Sequence, residues 1–196
     1  MEKHDEEAEI IESEDILLFP ELPSMPTPRT IGVYGEIDET IAKSAIGVLY
    51  LLVDDEKSKE PIDFLVSTEG GNVQDMFSIY DCIRDVNKDI EIHTFGVGKV
   101  MSAGVLLLAA GTKGKRRIGR HCRLMLHAVS GGHFGSIKEL ETDIREVRWY
   151  QEQFTKALSS ETNLDEREIK KIFRRSSDTY FDAEQAIEWG IADEVV

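Results

Sequence analysis

The chain has 196 residues, 41% of them hydrophobic, enough for one domain with a sizeable core. Its net charge of −15 offers no basic field of the kind that phosphate backbones require, which excludes nucleic acid as the expected partner. The longest apolar run, Val105 to Ala110, is too short to span a membrane, and the opening Met-Glu-Lys-His-Asp-Glu-Glu has no secretory signal. The two cysteines, Cys82 and Cys122, make no disulfide framework and have no metal-ligand spacing, so the expectation is a cytoplasmic protein without metal or cofactor.

Residues 1–29 hold nine Asp or Glu against Lys3 and Arg29, and carry prolines at 20, 23, 26 and 28. Proline at that density denies backbone donors to helix and sheet, so 1–29 is predicted to be an acidic, proline-rich tail, with "ILLFPEL" as its one segment able to dock. The folded domain is predicted to be 30–196. Within it "TIGVYG" (30–35) reads as a strand. The stretch 37–56 reads as a helix with apolar positions 41, 45, 48, 49 and 52 on one face. A buried strand at 62–67 is followed by "EGG" (69–71) as a tight turn, then by an amphipathic helix over 73–86 and a strand over 90–96. An apolar helix opens at Ser102. The basic cluster "KGKRR" (113–117) reads as a turn leading to an edge strand. A strand "RLMLHA" (123–128), a long polar helix over 136–160, a shorter helix over 165–175, and "DAEQAIEWGIADEVV" complete the chain. Alternation of β and α at this spacing predicts a parallel sheet covered by helices.

In parallel α/β folds, sites gather where strands end and helices begin. Three such junctions carry reactive residue types: "STEGG", "GKVMSAG" and "HAVSGG". Ser102 stands at a helix start, where it serves either as an ordinary N-cap or as a group poised beside backbone N–H donors. Ala103 and Gly104, small residues beside it, leave the backbone open to a substrate carbonyl. His127 closes the next apolar strand, as a packed residue or as a base. Asp178, in "RRSSDTYFDA", is a turn aspartate or the third member of a Ser–His–Asp set. "GVGKVMS" fails as a phosphate loop, because the first glycine is replaced by His93 and no Ser or Thr follows Lys99.

Together these segments resemble the Clp-type proteolytic subunits of the ClpP/crotonase-like superfamily, over about residues 29–196. The resemblance lies in "GEIDETIAKSAIGVLYLL", the glycine pair before "SIYDCI", "GKVMSAGVLLLAAGTKGKR", "RLMLHAVSGG" and "DTYFDAEQAIEWGIADEVV", in that order. It implies an α/β fold of repeated β-α units with a parallel sheet and a protruding handle helix, here 136–160. By position it makes Ser102 the nucleophile, His127 the general base and Asp178 the residue that orients it. The backbone N–H groups of Gly71 and Ala103 would form the oxyanion hole. The implied assembly is a homo-oligomer of stacked heptameric rings, fed with unfolded polypeptide by an ATP-driven AAA+ unfoldase. No nucleic acid or membrane takes part.

This chain departs from the family pattern in several places. The usual "SPGG" turn reads Ser67-Thr68-Glu69-Gly70-Gly71, which sets a carboxylate near a proposed oxyanion donor. The usual Gln-Pro after the histidine is Ala128-Val129, and the acidic tail replaces the usual N-terminal loop. The leading expectation is a serine endopeptidase. The alternative is a catalytically weak ring subunit that modulates an active partner. A crotonase-type acyl-CoA enzyme, with Glu69 as its one candidate carboxylate, and a dedicated peptidase on a related fold stand further off.

Overall fold

The structure, a computed structural model, describes residues 29–54, 59–132 and 134–196. The tail through residue 28, with its prolines and "ILLFPEL", lies outside the described residues, as does His133.

Strand β1 (Thr30–Ile37) turns Ile31, Val33 and Ile37 into the core. Asp38 caps the next helix, α1 (Glu39–Val53), by accepting from the Ile41 N–H at 2.9 Å. The buried face of α1 is Ala42, Ala45 and Leu49, whereas Val48, predicted on that face, is 40% exposed. Apolar residues surround this helix on most sides, so periodicity alone leaves its buried stripe ambiguous.

Strand β2 (Ile62–Gly71) is longer than predicted and runs straight through the segment expected to be a turn. Glycine at Gly70 (φ 94°) and Gly71 (φ 151°) lets the strand continue in a backbone conformation closed to other residues. Asn72 then caps α2 (Val73–Val86), whose buried stripe of Met76, Ile79, Ile83 and Val86 repeats at helical spacing. Strand β3 (Ile92–Met101) also outlasts its predicted end and delivers the chain to α3 (Ala103–Ala109). All seven residues of α3 are buried. Each of its Val and Leu side chains stabilises the fold by roughly 1.5–3 kcal/mol through burial alone.

The short β4 (Arg117–Ile118) follows, then β5 (Arg123–Leu126). Helix α4 (Ile137–Glu161) is opened by a capping box between Ser136 and Glu139, and buries no residue before Phe154. Its first half therefore stands clear of the core, with Ile137 79% exposed, which fits the protruding helix that the resemblance implies. Helix α5 (Glu166–Phe173), β6 (Thr179–Phe181), α6 (Ala183–Glu188) and β7 (Glu194–Val195) complete the fold.

The sheet runs β1-β2-β3-β4-β7, all parallel, with β5 parallel to the far end of β3 and β6 antiparallel to β5. One expectation is corrected here, and one strand was not read from the sequence. Strand β4 is interior, because β7 pairs with it on its other side. Strand β6, with its three residues, gives no alternation long enough to read, and it makes the sheet mixed. Buried Arg116 anchors the chain before β4, giving two hydrogen bonds to the Asp193 carboxylate and others to the carbonyls of Ala109 and Glu161. Glu161 in turn accepts from the Tyr80 hydroxyl at 2.8 Å, tying the end of α4 to α2.

Candidate active site

Strand β3 and helix α3 meet at Ser102. Its backbone has φ 53° and ψ −117°, the one positive φ outside glycine among the described residues. Such a conformation costs of order 1–3 kcal/mol and persists only where the surroundings over-determine it. Its hydroxyl makes no capping hydrogen bond to α3, although Ser102 occupies the N-cap position. The cap reading therefore fails.

Parallel pairing of β3 with β5 supplies part of the constraint. Lys99, Val100 and Met101 lie opposite Arg123, Leu124 and Met125, and the Ser102 N–H donates to the Met125 carbonyl at 2.7 Å. That register carries His127, just past the end of β5, alongside Ser102. The Ser102 Oγ lies 2.8 Å from His127 Nε2.

The third residue arrives through β6. In the antiparallel β5–β6 ladder Leu126 faces Thr179, so the next step outward sets His127 beside Asp178. His127 Nδ1 lies 3.6 Å from Asp178 Oδ1, with both side chains partly open to solvent. A hydroxyl, an imidazole and a carboxylate in that order can pass a proton from the hydroxyl while the carboxylate favours the charged imidazole.

The glycine segment at the end of β2 packs against the serine. A Cβ on Gly70 would fall 2.7 Å from Ser102 Cβ and 3.2 Å from the Ala103 nitrogen; one on Gly71 would fall 2.2 Å from the Ile37 carbonyl oxygen. Ala103 is the first residue of α3, so its N–H is one of those the first turn leaves without an intrahelical acceptor. Gly71, Ser102, Ala103 and His127 line one cleft of about 610 Å³, together with Met76, Val147, Tyr150 and Phe154.

Sequence reasoning missed several supports of this cleft. Buried Thr68 accepts from the Gly70 N–H at 3.0 Å and its hydroxyl donates to the Gly35 carbonyl. Gln151 of α4 accepts from the Val129 N–H at 2.7 Å, so the segment after His127 is held by the long helix. Glu69 is ion-paired with Lys99, whose hydrogen bond holds the Glu69 carboxyl below the usual carboxylate range. Among the described residues no group of three His, Cys, Asp or Glu side chains could hold a metal, and no helix is long and apolar enough to cross a membrane.

The profile of the Clp protease family matches residues 22–196. The ATP-dependent Clp protease proteolytic subunit 2 of Chlamydia pneumoniae is 33% identical over 169 residues, covering 86% of this chain and 80% of that protein. The chain belongs to the Clp protease family. Proteolytic subunit 1 of Chlamydia felis, at 33% identity, and proteolytic subunit 2 of Thermobifida fusca, at 32%, match with the same coverage. This Clp protease is accordingly a proteolytic subunit and a serine peptidase, and its α/β architecture agrees with that family. The family match begins at residue 22, inside the segment read from sequence as tail.

Proposed function

We propose that Ser102, His127 and Asp178 are the catalytic triad of this peptidase, and that the Gly71 and Ala103 N–H groups form its oxyanion hole. The observation that carries the reading is the 2.8 Å contact from Ser102 Oγ to His127 Nε2, made by a serine with no capping duty. In this mechanism His127 Nε2 takes the Ser102 proton as Oγ attacks the scissile carbonyl carbon. The carbonyl oxygen becomes an oxyanion facing Ala103 and Gly71, where fixed N–H dipoles favour the new charge. The imidazolium, stabilised by Asp178, gives its proton to the leaving amine. Water, activated by the same histidine, then releases the acyl group from Ser102.

The apolar wall of Met76, Val147, Tyr150 and Phe154 suits a side chain of an extended, unfolded polypeptide. The relatives are named ATP-dependent, and this chain has no phosphate-binding loop of its own. A partner AAA+ unfoldase that delivers unfolded substrate fits both facts. The exposed first half of α4 suits contact between subunits, in a homo-oligomer of stacked heptameric rings working in the cytoplasm. The working domain is 30–196, with 1–29 as an appended acidic tail. The weak-subunit alternative drew on the altered glycine turn and the acidic tail; at the turn, Lys99 offsets the Glu69 charge.

The test is labelling of the purified protein with a fluorophosphonate, Ser102→Ala alongside, with native mass taken on the same samples. Labelling at Ser102 in a ring-sized particle is the expected result. Labelling that survives Ser102→Ala, or none in the wild type, overturns the assignment.

A further inference from the structure

The ion pair between Glu69 and Lys99 has no part in the chemistry above, yet it spans the two segments that carry the proposed oxyanion donors. Glu69 immediately precedes Gly70 and Gly71 at the rim of the cleft, and Lys99 lies on β3 just before Ser102 and Ala103. The backbone ladder between β2 and β3 shifts register after Val66 and makes its last pairing at Thr68 with Val100. Past that point no β2–β3 pairing ties the glycines to the serine strand. On their other edge the glycines are held, since Gly70 and Gly71 pair with Glu36 and Ile37 of β1. The Glu69–Lys99 contact thus adds a side-chain tie on that side, beyond the end of the ladder, where Gly70 also packs against Ser102.

We propose that Glu69 and Lys99 are positioning residues, whose ion pair sets the distance between the Gly70–Gly71 segment and Ser102–Ala103. The inference rests on the serine-peptidase reading of this cleft and adds a control on its geometry. With side-chain exposures of 53% and 41%, the pair adds little to global stability. A donor displaced by a fraction of an ångström, however, loses much of its hold on a developing oxyanion. Salt, which screens exposed charges, then becomes a modulator of turnover.

The experiment starts from wild-type protein that labels with a fluorophosphonate; failure to label would sink the parent reading, an outcome distinct from every result for the ion pair. Glu69→Gln, Lys99→Met and the exchanged pair Glu69→Lys/Lys99→Glu are assayed with an uncharged fluorogenic peptide at low and high NaCl. Thermal midpoint and native mass are recorded for each. Each single variant is expected to lower kcat roughly 5- to 20-fold with KM and thermal midpoint unchanged. Wild-type kcat should fall with salt while the single variants do not respond, and the exchanged pair should recover most of the lost kcat. Single variants within twofold of wild-type kcat overturn the proposal, as does an effect confined to KM, which would make Glu69 a substrate contact. An exchanged pair no better than its parents also overturns it. Should a variant fail to assemble, the wild-type salt response decides, and a flat kcat in intact particles counts against the pair.

Discussion

The Ser102 N–H donates to the Met125 carbonyl at 2.7 Å, so the strand that ends in His127 also fixes the backbone of the serine. Ser102 and His127 are therefore aligned by one ladder, and a shift of β5 against β3 would break their 2.8 Å contact. The aspartate has no such link, because it reaches the site through the separate β5–β6 pairing.

Asp178→Asn is expected to lower kcat by about 10²-fold, less than the roughly 10⁴-fold loss at a fully buried triad aspartate. The reason is the open geometry, with Asp178 45% exposed and 3.6 Å from the ring nitrogen. Steady-state kinetics of intact assemblies check this, with fluorophosphonate labelling slowed in parallel. Unchanged kcat would remove Asp178 from the mechanism.

Gly70→Ala should cost both stability and activity. The added methyl meets Ser102 Cβ at 2.7 Å, on a backbone at φ 94° that alanine rarely adopts. A loss of about 1–3 kcal/mol in unfolding free energy is expected from the strain, together with a loss of kcat, because relief of the clash moves the serine. Denaturant unfolding and peptide hydrolysis on the same preparation measure the two effects.

Gln151→Leu should leave the partly buried Val129 N–H without its acceptor, a cost of about 1–3 kcal/mol. Gln151→Glu keeps an acceptor at the same place and should retain most of the activity. If the two variants behave alike, the hydrogen bond has no bearing on the cleft wall.

Asp193→Asn addresses the anchor of β4 and β7. Burial pushes the Asp193 carboxyl up, but hydrogen bonds from the Arg116 side chain and from the Arg116 and Gly114 N–H groups outweigh it and hold it low. A depressed carboxyl contributes stability that is present above the unfolded value, near pH 4, and is lost as pH falls through the folded one. The substitution should therefore lower stability by about 2–4 kcal/mol at neutral pH, because Arg116 stays buried without its counter-charge. It should also flatten the acid limb of a stability-versus-pH curve. An unchanged acid limb would show that another carboxylate governs it.

The parts legible in the sequence were those with long, regular patterns. Helix α2 was predicted with its observed bounds, and α4 to within a residue at each end. The β-α alternation gave the parallel core of the sheet, and the resemblance gave the residues that meet at Ser102. What escaped was set by tertiary contact. The turn predicted at Glu69-Gly70-Gly71 is strand because β1 pairs alongside it. The basic cluster ending at Arg117 leads into an interior strand because Arg116 is buried against Asp193, a partner remote in sequence. The Gln151–Val129 bond joins a polar helix position to a backbone N–H, and periodicity cannot register that.

The order of the site residues along the chain has a consequence during synthesis. Ser102 and His127 emerge first, and α4 and α5 lie between them and the β6 pairing that brings Asp178 alongside. On the proposed mechanism, a nascent chain that has reached only α5 carries the attacking group and its base without the residue that orients the base. On that mechanism the three side chains stand together only once β6 has been made and has paired with β5.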